Sequence, residues 1–270
     1  VTQRVSSWSD GFSRDTYGHQ FVSRHEGGGG ITTFAHGQQH LCAPNMKAKT
    51  IAIRAIGRVN IHQVHNTHEH EEERTEEESG FIGTTEITTK SQSFTANSVG
   101  AILEADSVRV VSLADGIDLT NVGLYTPRTD LIAKKGVVRL MLGTNHSASS
   151  SVTSSKSMCW QSISADQRQD RFYTVPSITG QLVIDSPHNA VVQYVGGHQG
   201  RGSFWHVIAQ QVQNQEVVSY LRQIEQIGGG KLSLQAVYEH HERHYFEQSG
   251  PTPAYGAVVG IAVSIATAGA

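Results

Sequence analysis

The chain has 270 residues, enough for one large domain or two smaller ones with a buried apolar core. Charged residues make up only 17%, below the ~25% of an average domain, and the chain contains 27 glycines besides many Ser, Thr, Asn and Gln. The 21 basic and 24 acidic residues give a net charge of −3, and seven of the acidic ones are glutamates between Glu69 and Glu78. A chain this close to neutral, with no Lys/Arg block, lacks the basic surface of a nucleic-acid-binding protein.

The first thirty residues have no clear hydrophobic period. They end in four consecutive glycines, Gly27–Gly30, so we expect an irregular N-terminal segment over residues 1–30. The chain begins at Val1, without the basic and apolar regions of a signal peptide, and we interpret it as a processed product or an excised fragment.

Short runs that alternate apolar and polar residues extend from Ile31 to about Val195. The clearest are residues 51–55, 58–64, 107–111, 116–120, 136–142 and 180–185. Each places apolar residues at positions i and i+2, which is the period of a half-buried strand. Several begin directly after Gly, Asp or Ser, the residues that favour turns.

A turn residue followed by two alternating apolar residues is a recurring unit of this region. The apolar pairs are Val59/Ile61, Val108/Val110, Ile117/Leu119, Val138/Leu140 and Leu182/Ile184. The interval from Ile117 to Val138 matches one coil of a parallel β-helix, and that from Val59 to Val108 approaches one coil once the charged stretch between them is set aside. We therefore predict a mainly β fold, a right-handed parallel β-helix (solenoid) over residues 31–203 with a charged insertion at about 65–90. An antiparallel sandwich is the alternative.

Residues 204–248 have the apolar spacing of two amphipathic helices, which would form a short α-helical C-terminal segment. The first has apolar residues at Trp205, Ile208, Val212, Leu221 and Ile224. The second is predicted over 234–248, with Ser233 as its N-cap. Residues 249–270 then form a turn and an apolar tail, whose uncharged part, Ala257–Ala270, is shorter than the ~20 residues that span a bilayer. This tail is either a membrane-active or partner-inserting element or a cap on the last coil.

The charged insertion is predicted to leave the β-helix as a loop or hairpin over about residues 65–80. Its glutamates cannot line an apolar interior without several kcal/mol of desolvation each. Four histidines accompany them: His62, His65, His68 and His70. Imidazoles beside carboxylates can form a first shell for zinc, nickel or copper. The alternative is a solvated hairpin whose like charges are separated by water.

A second histidine cluster contains His240, His241 and His244. On a helix, His240 and His244 lie one turn apart and could chelate a metal ion. The cluster is not the HExxH motif of metalloproteases, because His244 comes one position too early after His241. The alternative is a polar helix face whose rings pack on a neighbouring element.

Motifs of catalysis or cofactor binding are missing from the sequence. It contains no GxSxG, no Walker A motif and no GxGxxG between a strand and a helix. The two cysteines, Cys42 and Cys159, form no CxxC pair and are either a disulfide or two thiols. The serine-rich stretch 147–157 is interpreted as a loop. We therefore assign no catalytic, cofactor-binding or metal residue and expect no enzymatic activity.

The order of these features resembles the C-terminal stalk of filamentous haemagglutinins and contact-dependent growth-inhibition toxins, the large exoproteins of two-partner secretion. The resemblance rests on the His-rich insertion from His65 to Phe81, the Gln-rich helix ending near Leu221, and the Tyr/His-rich helix that runs into Gln-Ser-Gly-Pro-Thr-Pro-Ala and an apolar run. In that family the apolar run opens the pretoxin region. Pro251 stands where the family has an apolar residue, and its asparagine-pair motif before the toxin is missing, so no toxin activity is implied.

The resemblance implies a structural segment of a secreted, cell-surface filamentous exoprotein of a bacterium. Such a segment acts in adhesion or in contact-dependent delivery of a C-terminal toxin. Its implied partners are the outer-membrane two-partner-secretion transporter and the surface or membrane of a target cell, with self-association and without nucleic acid or cofactors. Two other functions fit the residues: a β-helical polysaccharide-active enzyme and a self-assembling extracellular filament subunit.

Overall fold

The computed structural model of the chain describes residues 2–8, 10–18, 23–80, 83–157, 160–196 and 232–251. These residues form nineteen strands, numbered β1 to β19 in chain order, in three sheets. Strands account for 82% of them, and they contain no helix. Accordingly, no helix in the described residues is long and apolar enough to cross a membrane.

Two of the sheets are parallel, with strands of 4 to 12 residues. The first parallel sheet contains β3 (Arg24–Ala35), β5 (Asn45–Ala55), β9 (Ala101–Ser112), β11 (Val122–Tyr125), β12 (Arg128–Ala133) and β16 (Gln181–Asp185). The second parallel sheet contains β4 (Gln39–Cys42), β6 (Val59–His62), β10 (Ile117–Thr120), β13 (Val138–Met141), β17 (Ala190–Val195) and β18 (Leu232–Val237). In both sheets the strands lie side by side in chain order, except that β11 pairs with β9 beside β12.

The third sheet is antiparallel and is built from longer strands. It contains β1 (Thr2–Trp8), β2 (Gly11–Gly18), β7 (Val64–Gly80), β8 (Gly83–Val99), β14 (Gly143–Lys156), β15 (Trp160–Thr174) and β19 (His240–Pro251), in the order β1-β2-β7-β8-β14-β15-β19. Strands β7 and β8 pair with each other along their whole length, as do β14 and β15. The chain therefore inserts two long hairpins between strands of the parallel sheets.

One apolar core lies between the two parallel sheets. The inward residues alternate with outward ones, as the period of two predicts. The largest side chains that are almost completely buried are Ile51, Ile53, Ile61, Leu103, Ile117, Leu124, Leu131 and Leu142. Each contributes about 1.5–3 kcal/mol of burial free energy, so this core holds most of the apolar stabilisation of the described part.

The predicted strand runs are confirmed, and their partners are now defined. Ile117 pairs with Val138 on one side and with Val59 on the other, in neighbouring strands of the second parallel sheet. Val108 belongs to the first parallel sheet, where Ile51 is its partner. The interval from Val59 to Val108 therefore does not join equivalent positions, because the two residues lie in different sheets.

The predicted fold class, a right-handed parallel β-helix with a short α-helical C-terminal segment, is wrong. Besides two parallel sheets the described residues form a seven-stranded antiparallel sheet, and no solenoid is detected. The prediction failed because β7, β8, β14 and β15 are polar on both faces and show no apolar alternation. Without that alternation, these stretches resemble an insertion and a loop rather than strands.

The predicted segment boundaries also change. Residues 1–30, expected to be irregular, contain β1, β2 and the first part of β3. The helix predicted over 234–248 is replaced by parts of β18 and β19, which pair with β17 and β15. Hydrogen bonds to neighbouring strands outweigh the local helical spacing there. The first predicted helix, which begins at residue 204, lies outside the described residues. Of the turn and apolar tail predicted over 249–270, the structure describes only residues 249–251, which belong to β19.

The antiparallel sheet leaves the parallel sheets at one kind of connection, which we call the exit corner. It lies where the chain passes from the end of a strand in the second parallel sheet towards the next strand of the first, at residues 43–44, 63, 100, 121, 142 and 175–180. Both hairpins are inserted there, and β19 follows β18 at the corresponding end. The connections from β4 to β5 and from β10 to β11 contain no hairpin. In these short turns Ala43 and Asn121 adopt the left-handed conformation, with φ of 40° and 53°.

Polar side chains join the two hairpins at the exit corner. The Gln63 side chain donates to Thr144 Oγ1 at 3.0 Å and accepts from the Thr144 N–H at 3.2 Å. Asn145 Oδ1 accepts from the Ser98 N–H at 2.6 Å, and Asn121 Nδ2 donates to Ser98 Oγ at 3.3 Å. These bonds fix how the antiparallel sheet is attached to the core.

We expect the two parts of the fold to differ in their sensitivity to truncation. Leu103→Ala should lower the free energy of unfolding by about 2–5 kcal/mol, because it leaves a cavity in the core. Val152→Ala, on a half-exposed face of β14, should lower it by less than about 1 kcal/mol. Urea denaturation followed by circular dichroism measures both, and equal losses would contradict the separation of core and antiparallel sheet.

A second prediction concerns the close approach of neighbouring turns. A Cβ at Gly136 would lie 2.3 Å from the Gly116 nitrogen and 2.4 Å from the Asp115 carbonyl carbon. Both are backbone atoms and cannot rotate away, so Gly136→Ala should cost about 1–3 kcal/mol of unfolding free energy. Gly28→Ala is the matched control, since nothing lies within 4 Å of its Cβ position. Thermal melts in which both variants behave alike would show that the turns are not tightly packed.

Candidate functional site

The four histidines of the charged segment do not form one cluster. His62 lies on β6, where its Nε2 is 3.2 Å from the thiol of Cys42. His65 contacts the carbonyl oxygen of Thr144 at 2.8 Å. Only His68 and His70 share a partner, the carboxylate of Asp15.

His240 and His244 meet at a carboxylate. Both lie on β19, and their Nε2 atoms are 3.2 Å and 2.6 Å from the two oxygens of Glu242. These contacts, that of His244 above all, lower the pKa of the Glu242 carboxyl group. Within the described ranges, no three His, Cys, Asp or Glu side chains are grouped closely enough to hold a metal ion.

Cys42 carries a free, exposed thiol at the edge of the second parallel sheet. Cys159, the other half of the disulfide considered from the sequence, lies outside the described residues. The thiol lies on β4, beside β6, because Cys42 and His62 are register partners.

The candidate site is a groove on one face of the antiparallel sheet. It has a volume of about 650 Å³, in the range of about 300–1,000 Å³ typical of ligand pockets. Thirteen residues from β7, β8, β14, β15 and β19 line it, among them His70, Ser93, Ser149, Arg168, His241 and Arg243. The strands hold them side by side. His70, Ser93, Ser149, Arg168 and Arg243 are successive register partners across the sheet, and His241 lies two positions from Arg243 on β19.

Short side chains in the middle of the face and long ones at its sides make the groove concave. Ser91 and Ser93 of β8 face Ser151 and Ser149 of β14, and we call these four residues the serine floor. Across β15 and β19, the row through Ser149 continues to Arg168 and Arg243. On the opposite side the row through Ser93 continues to His70 and Asp15.

The wall formed by β15 and β19 is a network of ion pairs. Arg243 donates from Nε and Nη2 to the two oxygens of Asp166, and Arg168 Nε donates to Asp170 Oδ2 at 2.7 Å. His241 Nδ1 lies 2.7 Å from the other oxygen of Asp170. His241 is the main cause of the lowered pKa of the Asp170 carboxyl group, and Arg243 that of Asp166. Both carboxylates are therefore ionised near neutral pH.

On the opposite side the groove is lined by His70, and behind it Asp15 lies between two imidazoles. Its Oδ1 atom is 2.8 Å from His70 Nδ1 and 3.1 Å from His68 Nε2. The hydrogen bond to His70 lowers the pKa of the Asp15 carboxyl group, and Asp15 in turn raises the pKa of His70. The ring of Tyr17 stacks on His68 with centroids 4.3 Å apart. These contacts attach β2 to β7.

Sequence reasoning named His68, His70 and His241 but missed the other groove residues. The serine floor was interpreted in part as a loop, and Asp166, Arg168 and Asp170 were not singled out. A usable signal was present, because these three residues follow one another at i, i+2 and i+4 and therefore share one face of a strand. Their partners on β8, β14 and β19 are far away in the sequence and only the sheet brings them together.

The pairing of Asp15 with His70 predicts how one wall responds to pH. Because the pKa of His70 is raised above 6.5, its contribution to stability is complete below that value and is lost as the pH rises through the raised pKa. Because the pKa of Asp15 is lowered from 3.8, its contribution is lost as the pH falls through the lowered value. We expect NMR titration to give His70 a pKa above 6.5 that falls in Asp15→Asn but not in the control Asp106→Asn. An unchanged His70 pKa in Asp15→Asn would disprove the pairing.

Comparison with known proteins adds no relative. No family model matches the chain, and no curated protein and no solved structure matches it.

Proposed function

We propose that the chain is a structural segment of a large secreted exoprotein of the filamentous-haemagglutinin type, displayed on the bacterial cell surface. It acts in adhesion or in contact-dependent delivery of a C-terminal toxin. The outer-membrane transporter of two-partner secretion exports it, and its antiparallel sheet meets the surface of a target cell.

The observation that carries this proposal is the separation between core and antiparallel sheet. In the described residues, the side chains of the antiparallel sheet that are buried are Ala96 and Asp170. The sheet is thus a single layer with two largely polar faces, held at the exit corner by the compact core. With seven strands of up to 17 residues, it measures roughly 30 Å by 50 Å. A surface of this size and polarity suits contact with a macromolecule or a cell surface.

The order of the parallel strands supports a place within a longer protein. In both parallel sheets the strands succeed one another in chain order, and the last described strands at the ends are β3 and β16 in one sheet and β4 and β18 in the other. Further strands at either end would extend both sheets without rearranging the core.

The same sheet ends favour a second candidate, a self-assembling extracellular filament subunit. Exposed edge strands can pair with edge strands of another copy. Light scattering over a range of concentrations separates the two candidates, because a filament subunit grows with concentration and a segment of a longer exoprotein does not.

The proposal predicts surface display and adhesion by way of the antiparallel sheet. Antibodies against the chain should label intact producing bacteria, and beads coated with the purified chain should bind target cells in competition with free chain. Replacing residues 64–99 by a short Gly-Ser bridge removes the β7–β8 hairpin, whose ends both lie at the exit corner, and should lower bead adhesion at least about tenfold.

The hairpin deletion has its own control. The deletion variant must still unfold in a cooperative transition, because the apolar core contains none of the deleted residues except Ala96 at its margin. Full adhesion by a folded deletion variant would disprove the role of the antiparallel sheet. Labelling only after the producing cells are broken would disprove surface display.

A further inference from the structure

Two arginines face each other on the wall of the groove. Arg168 and Arg243 are direct register partners on β15 and β19, and their side chains are 61% and 67% exposed. Like charges directly opposite each other on a sheet are unfavourable. Each guanidinium has an Asp partner. A guanidinium has five N–H donors, however, and Arg168 uses only its Nε–H in the bond to Asp170. Among the described residues, the pair therefore leaves N–H donors open to an anion at the groove.

The serine floor next to this pair offers uncharged donors and acceptors. The hydroxyls of Ser91, Ser93, Ser149 and Ser151 have no hydrogen bond to another described side chain, although strands on both sides surround them. Each hydroxyl can donate one hydrogen bond and accept two. They are spaced by roughly 4.8 Å across strands and roughly 7 Å along a strand, which suits a ligand with several hydroxyl groups.

Acidic residues on the same face restrict the charge of such a ligand. Glu72 lies in the row of Ser91, two positions from His70, and Asp166 and Asp170 flank Arg168. A densely charged polyanion would be repelled by these carboxylates and by the other glutamates of β7. A ligand with isolated negative charges can place one carboxylate at the arginines and hydroxyl groups over the floor.

We propose that this groove binds a short oligosaccharide that bears a single carboxylate, such as a neutral oligomer that ends in one hexuronate. The carboxylate accepts hydrogen bonds from Arg168 and Arg243, and the sugar hydroxyls bond to the serine floor between the arginines and His70. The groove lies on the sheet to which adhesion is assigned above, but binding is measured on the purified chain and therefore does not depend on surface display.

Isothermal titration of the purified chain with a homogeneous neutral oligosaccharide that ends in a single galacturonate tests the site. The carboxylated oligomer should bind, and its methyl ester and a heavily sulfated oligosaccharide should bind at least about tenfold more weakly, as expected when a charge-assisted hydrogen bond is lost or like charges are added. Arg168→Gln and Arg243→Gln should each weaken binding of the carboxylated oligomer by at least about tenfold.

Arg128→Gln is the matched control, because Arg128 Nε donates to Asp130 Oδ1 at 2.9 Å in the same i, i+2 geometry on another sheet. It should leave the affinity unchanged. Ser149→Leu fills the floor while keeping every charge and should also abolish binding, with circular dichroism verifying the fold of each variant. No binding at millimolar concentration, equal binding of the methyl ester or the sulfated oligomer, or full binding by folded Arg168→Gln and Ser149→Leu would each overturn the proposal.

Discussion

The shared core between the two parallel sheets is the constraint on which the rest of the structure depends. Its strands mostly alternate between the two sheets along the chain, and side chains such as Ile61 and Leu103 point into the space between them. A long polar segment placed in that interior would lose its hydration, at a high cost in free energy. Every additional element has therefore to leave at a connection, and the two long hairpins leave at the exit corner, where Gln63 and Asn121 replace apolar packing by hydrogen bonds.

The antiparallel sheet is consequently held by different forces from those that hold the core. Backbone hydrogen bonds and cross-strand pairs such as Asp15 with His70 and Asp170 with His241 join its strands. Exposed ion pairs are individually weak, at about 0–1 kcal/mol, so the sheet gains its order from the number of pairs and from attachment to the core. The same polar side chains that cannot form a core remain available to a ligand, and the groove is the place where they converge.

Prediction from the sequence worked where burial imposes a period. The strands around Val59, Ile117 and Val138 were correctly located because one face of each is apolar. It failed where neither face is buried. The serine-rich β14 and the glutamate-rich β7 carry no periodic signal, so neither their strand character nor their antiparallel pairing could be read locally. His240 and His244 fit a helix equally well until β15 supplied a partner strand.

The sequence by itself determined that the chain is mostly β, that its acidic segment stays out of the apolar interior, and which residues form the core strands. These properties follow from the alternation of side chains and from the cost of burying charge, both of which act over a few residues. Only the tertiary structure decided which strands pair, because the hydrogen bonds of a sheet join positions distant in the sequence. The groove depends on that choice: Ser93, Ser149 and Arg243 meet in one row because three separate chain segments leave the core on the same side.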